Sequence, residues 1–368
     1  MKNKDVKPAV RDSFIKRIKN GDNSQLLIPL ISLAILVIFN AIRDIGFFSV
    51  AIAQNNEGYP VLAGNVISIL NGASELAILA MGMTLVTSAC GGQDISVGAL
   101  AAIAGSVFIK VLKGGVAITP HLVIIAFIAC AAVAVIFGAF NGTLVAVFGI
   151  QPMIATLILF TAGRSVAYWI NGGATPTVTS PIITAIGGFI PGIPVPTPVL
   201  IVILCGIIFS LLLKFTNLGL YTQAVGINNR AARLNGINTT WIKLLSFMIL
   251  AICCAVAGCI SVGRLSLINH ETLLLEIEMD AILAVAIGGN ALGGGKFKLA
   301  GSVLGAYAIQ TLTTTLYAMK VPSTSIKAYK AVVIILIVIL GAPVVKKAIN
   351  KLKLKLAGRK ESAVLEVA

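Results

Sequence analysis

Long apolar runs broken by short polar punctuation dominate the chain. Runs of about twenty apolar residues suit helices that cross about 30 Å of hydrocarbon, and a lipid-exposed backbone has few alternatives to helix. The pattern predicts an all-α, polytopic membrane protein with about ten transmembrane helices. They are placed near 26–43, 65–88, 95–112, 121–147, 152–171, 198–214, 242–263, 279–294, 300–319 and 327–345. The segment 171–198, with "PGIPVPTP", is excluded as a span because its prolines lack helix donors. It reads as an extracytoplasmic loop, either a partner's docking surface or a connector, and 46–64, with Asn55, Asn56 and Glu57, falls on the same side.

Composition agrees with the pattern. At 368 residues the chain is 58% hydrophobic and 11% charged, with a mean hydropathy of +1.00. That is more apolar surface than one soluble core of this length buries. The net charge of +15 is concentrated at the ends. Lys2, Lys4, Lys7, Arg11, Lys16, Arg17 and Lys19 open the chain, and another seven basic residues lie between Lys346 and Lys360. Basic flanks mark the cytoplasmic side, so both termini are expected there, and a nucleic-acid arm is the lesser reading. The divisions are a basic tail at 1–25, a transmembrane body at 26–345 and a second basic tail at 346–368. The run after the first tail reads as a retained helix, not a cleaved signal. Lys214, Arg230, Arg233 and Lys243 then fall in a cytoplasmic loop, as do Lys296 and Lys298, whereas Lys320 and Lys327 fall outside against the rule.

Several short features interrupt this background. The six cysteines have no C-x-x-C spacing and read as buried apolar thiols, and His121 and His270 share no metal-like spacing. Gly138/Gly142, Gly289/Gly293 and Gly301/Gly305 form three G-x-x-x-G pairs, expected to bring helices close. "SACGGQDISVGAL" sets Gln93, Asp94 and Ser96 at membrane depth, where a carboxylate is costly unless hydrated, paired or capping. Asp94 with Ser96 suits the start of the next helix, and a path or gate role is compatible with that. "EIEMDAILAVAIGGNALGGGKFK" puts Glu276, Glu278 and Asp280 at a helix start, where acids suit the dipole, before a break at Gly288-Gly289. "NALGGGKF" fails as a phosphate loop, with Asn290 where a glycine and Phe297 where Ser or Thr is required. No nucleophile elbow or metal-binding helix is present. The chain is therefore not expected to be an enzyme.

The last feature, "AVGINNRAARLNGINTTWIK" at 224–243, is a polar, helix-compatible segment between two apolar runs. Such a segment suits lodging in a groove of a soluble partner. Arg230 and Arg233 lie three apart, on one helical face, while Ala231 and Ala232 permit close approach. A basic loop held near headgroups is the alternative.

These residues carry a resemblance. "GINNRAARLNGIN" resembles the G-x-N-x-x-A-A-x-x-x-G-I motif of ribose-type ABC importer permeases, "GGQDISVGA" is similar to that family's G-G-I-D-L-S-V-G, and "DAILAVAIGGNALGGGKF" to its D-A-I-A-A-V-V-I-G-G segment. They run in order over most of the chain, from about Asn65 to Pro343. Two stretches look closest to galactofuranose permeases, which implies a galactose-type sugar.

The resemblance implies an ABC importer permease fold in a bacterial plasma (inner) membrane, paired with an identical or sister permease. Two ABC ATPase subunits would bind below and hold the ATP and magnesium, so this chain itself has no cofactor. An extracytoplasmic sugar-binding protein would deliver a monosaccharide. Gly226, Asn228, Ala231, Ala232, Gly236 and Ile237 take the coupling positions, and Arg230 and Arg233 join them on the face argument alone. Gly92, Asp94, Ser96, Val97 and Gly98 match the first motif, and Asp280, Ala281, Gly288 and Gly289 the last. Gln93 replaces an apolar residue and, with Asp94, Ser96, Asp280, Gly288 and Gly289, makes the expected path or gate. An ion-coupled secondary sugar transporter is the alternative, with Asp94 almost its only candidate for the coupling site.

Overall fold

The computed structural model describes residues 26–54, 58–114 and 118–341. Both basic tails, and the Asn55–Glu57 triplet, lie outside the described residues. Helices occupy each of the ten predicted positions. In chain order the elements are α1 (Leu27–Arg43), a 3-10 turn (Ile45–Phe48), strands β1 (Ala51–Gln54) and β2 (Pro60–Ala63), α2 (Asn65–Gly72), α3 (Ser74–Cys90) and α4 (Val97–Lys113). They continue with α5 (Pro120–Ala146), α6 (Pro152–Ile170), α7 (Pro181–Gly187), α8 (Thr197–Phe215), α9 (Leu218–Ile227), α10 (Asn229–Leu234), α11 (Thr239–Leu265), α12 (Ile277–Ile287), α13 (Leu299–Ala318) and α14 (Ser323–Gly341). The chain divides into two compact units at Thr314.

In the first unit, proline sets several boundaries. Helices α5, α6, α7 and α8 all begin with proline in the first two positions, where a missing N–H is harmless and φ is already helical. The proline-rich stretch excluded as a span thus starts α8, and α7 sits within the same segment. The segment is tied to the end of α11, for the Val178 N–H donates to the Ser266 carbonyl (2.9 Å) and the Ile268 N–H to that of Pro176 (3.2 Å).

Burial separates inner helices from outer ones. Every residue from Ser74 to Ala89 of α3 is buried, and so is nearly all of α4. The central windows of α2–α3 and of α11 are 67% and 72% buried, against 22%, 28% and 22% for α5, α6 and α8. The outer three expose Ile124, Ile136, Ile158, Ile207 and many like them, as suits surfaces facing lipid chains. Among the described residues, five stretches are long and apolar enough to cross a membrane: 65–90, α5, α6, α8 and α11.

Three sequence expectations need correction. The chain is not wholly helical, since in the 46–64 segment, where the pattern predicts no span, β1 and β2 pair antiparallel with Ala51 opposite Ala63. The span expected at 279–294 is the eleven-residue α12, about 17 Å long, because Gly288 ends it and a loop runs on to Leu299. Gly289 and Gly293 lie in that loop and make no helical pair. The other two pairs do bring helices close, with Gly138 and Gly142 against Phe247 and Leu244 of α11, and Gly301 and Gly305 against the Gly288 and Ala284 carbonyls at α12.

The second unit, described over 315–341, holds the end of α13 and α14. Helix α13 stops in a Schellman turn, with the Val321 N–H on Leu316 (3.2 Å) and the Lys320 N–H on Tyr317 (2.8 Å). Lys320 takes the left-handed position, at φ 58°.

Candidate functional site

The 224–243 segment folds into a tightly specified turn of helix. Helix α9 ends at Ile227, and Asn228 (φ −154°, ψ 99°) bends the chain. Its side-chain oxygen accepts from the Ala231 N–H at 3.0 Å, capping α10. The helix closes in a Schellman motif, with the Ile237 N–H on the Ala232 carbonyl (3.1 Å) and the Gly236 N–H on Arg233 (3.0 Å). That closure demands a left-handed residue, and Gly236 supplies it at φ 79°. Asn238 then caps α11 through the Trp241 N–H at 3.0 Å.

Each motif position thereby acquires a reason. Gly226 has its own, because a Cβ there would overlap the Ser88 carbonyl. The two alanines part company: Ala232 is buried and packs inward, whereas Ala231 is exposed. Arg230 and Arg233 do share a face, and with Asn229 and Leu234 they border a surface cavity of about 300 Å³. Arg233 also donates to the Thr239 hydroxyl at 3.3 Å. Beside the arginines stand Ile227 and Leu234, 64% and 89% exposed, so the face is basic and apolar together.

The α3–α4 turn shows what Asp94 does. Gly91 ends α3 in the left-handed region at φ 62°, and Gly92 lies on the Pro152 ring. Asp94 is only 2% exposed, and its Oδ1 accepts from the Ser96 N–H (2.7 Å) and hydroxyl (2.6 Å). Asn141 of α5 donates to the same hydroxyl at 2.9 Å, and the Ile95 N–H donates to Thr156 of α6 at 3.1 Å. The carboxylate organises the turn that starts α4. Gln93 points the other way, its amide donating to the Leu292 carbonyl at 3.0 Å.

That bond leads to the third motif. Gly288 lies against the backbone of Gly301 and Ser302, and Gly289 adopts φ 81°. The loop beyond folds back so that the Gly295 N–H donates to the Ser88 carbonyl (3.0 Å), while the Ser88 hydroxyl donates to the Gly295 carbonyl (2.5 Å). Ser88 is also the residue under Gly226. Three motifs separated in sequence therefore meet at one point, and Ser88, Asn290 and Ser302 there were missed by sequence reading. The signal was slight, since Asn290 drew notice only for spoiling a phosphate loop.

A second polar group was missed altogether. Arg164 of α6 donates through one nitrogen to the carbonyls of His270, Glu271 and Leu273 at 2.9–3.1 Å. It thus holds the 266–276 linker, which carries left-handed Ser266, Leu274 and Glu276. Glu278, expected only to suit a helix dipole, is 2% exposed and lies with the Arg164 guanidinium around Gly98. Asp280, two residues on, is half-buried. Near the start of α3, buried Glu75 pairs with Arg264 of α11 at 3.2 Å.

Comparison with known proteins gives the family. Residues 65–342 match a family model described as branched-chain amino acid transport system / permease component. The chain is 38% identical to the galactofuranose transporter permease of Escherichia coli K12, over 84% of this chain and 87% of that one. It is 33% identical to the fructose import permease of Bifidobacterium longum, over 94% and 95%, and 37% identical to the ribose import permease of E. coli K12, over 75% and 84%. No solved structure matches.

Proposed function

The chain belongs to the family of branched-chain amino acid transport system permease components, and from that premise we propose that it is the membrane permease subunit of an ATP-binding-cassette importer for a monosaccharide. The relatives' names, galactofuranose, fructose and ribose, favour a sugar over an amino acid. A galactose-type or ribose-type sugar is the cargo.

The observation that carries the reading is the capped helix between Gly226 and Ile237, which presents Arg230 and Arg233 beside exposed Leu234. It is a compact knob of mixed character, suited to a groove on a soluble ATPase subunit. ATP and magnesium bind that partner. Its closure moves the knob and switches a pair of permeases between outward- and inward-facing arrangements, a coupling between two states. The second permease is identical or a sister chain, and an extracytoplasmic binding protein performs most sugar recognition. Gln93, Asp94 and Ser96 at the α3–α4 turn, with Asp280 in the first turn of α12 and Gly288 and Gly289 at its end, act as gate elements when those turns rearrange. The chain crosses the bacterial inner membrane ten times, the eighth crossing being short α12 together with the loops at its ends, with both termini in the cytoplasm.

The test is charge reversal at Arg230 and Arg233, measured as co-purifying ATPase and as uptake of radiolabelled galactose and ribose by cells. The expected outcome is normal membrane insertion with the ATPase lost and uptake abolished. Unaltered uptake would sink the assignment of this surface.

A further inference from the structure

The loop from Gly288 to Lys298 contains Gly293, Gly294 and Gly295, and such a sequence has wide conformational freedom. Here it is clasped. The Asn290 side chain, 7% exposed, makes both bonds of a backbone-like pair with Lys298: its Oδ1 accepts from the Lys298 N–H at 2.7 Å, and its Nδ2 donates to the Lys298 carbonyl at 3.1 Å. The same Nδ2 donates to the Ser302 hydroxyl at 2.7 Å, which in turn bonds Thr84 of α3 at 2.6 Å. One amide thus closes the loop and anchors it to two inner helices.

What the clasped loop touches gives it a role. On one side Gly295 is doubly bonded to Ser88, and Leu292 takes the Gln93 amide. On the other lies Gly226, two residues before the bend at Asn228, where a Cβ would reach both the Ser88 carbonyl and, at 2.7 Å, the Gly295 nitrogen. At Gly226, Ser88 and Gly295 main chain lies directly against main chain, with the short Ser88 hydroxyl as a further tie, so little slack is present to absorb a displacement.

We propose that the Gly288–Lys298 loop is a stiff relay, which carries the movement of the Gly226–Ile237 knob to α3, the α3–α4 turn and α13. Asn290 is the positioning residue that keeps it stiff. The proposal rests on the reading of that knob as the ATPase contact. A physical relay is established only by measured coupling.

The experiment reconstitutes the complete transporter in liposomes, with its co-purifying ATPase and binding protein, and compares wild type with Asn290→Ala. Three quantities are read: ATPase stoichiometry, ATP turnover, and radiolabelled galactose or ribose delivered per ATP. The relay predicts unchanged stoichiometry, ATP turnover within about twofold, and at least a tenfold fall in sugar per ATP. Loss of uptake and turnover in proportion, leaving the ratio intact, overturns it as mere destabilisation. An unchanged uptake overturns it too. Should Asn290→Ala fail to give a monodisperse complex, Ser302→Ala removes the bonds to Asn290 and Thr84 that anchor the clasp and is held to the same ratio, with a threefold fall expected. A wild-type chain that purifies without any ATPase takes down the underlying reading as well, and that result is visible before any variant is made.

Discussion

At Gly226 the smallest possible substitution is informative. A methyl group there would overlap the Ser88 carbonyl, and backbone cannot yield as a side-chain tip can. Gly226→Ala should therefore cost about 1–3 kcal/mol, the usual range for overpacking, and lower the thermal midpoint of the detergent-purified protein. A midpoint unchanged within error would mean that α9 slides freely past α3. Asn228→Ala removes only a cap, worth about 1 kcal/mol, so it should be the milder of the two. The motif itself was legible in the sequence as glycine, asparagine and alanine at fixed spacing, whereas the close approach, cap and turn that it encodes emerged only with the fold. Ser88 and Asn290 were not, since a serine within a buried helix and an asparagine among glycines acquire meaning only from partners 207 and 8 residues away.

Among the elements, the linker between α11 and α12 stands out, with three non-glycine residues in the left-handed region, each costing about 1–2 kcal/mol. Arg164 holds it from α6 through three carbonyls. Arg164→Ala should leave those acceptors and buried Glu278 without their cation, and amide hydrogen exchange across 266–276 should quicken at least tenfold while exchange in α3 stays slow. Equal rates in the two proteins would show that packing alone fixes the linker. Helix positions were largely legible, because apolar runs and starting prolines are local signals. The short α12 was not, for the double glycine that ends it sits inside a run still apolar enough to look like a span. The β1–β2 hairpin escaped notice for the converse reason: four-residue strands leave no period long enough to read.

For the molecule as a whole, sidedness is the testable matter. With the six native cysteines replaced, a single cysteine at Arg230 should react with a membrane-impermeant maleimide only from the cytoplasmic face. One at Gly192, in the proline-rich segment ahead of α8, should react only from outside. Both labelling from the same side would break the ten-span topology. Membrane class was plain from composition, whereas the layering of α3, α4 and α11 inside α5, α6 and α8 was hidden, because inner and outer helices overlap in mean hydropathy, inner α11 standing above outer α6.

The meeting of Gly226, Ser88 and Gly295 has one more consequence. A joint made of main chain and one serine hydroxyl is the same whatever cargo the protein serves, for it has little side-chain vocabulary in which a sugar could be specified. Mutations that retune selectivity must fall elsewhere and leave the drive train untouched. An importer engineered for a new sugar can therefore keep this corner as a fixed chassis and confine its search to the residues that face the route.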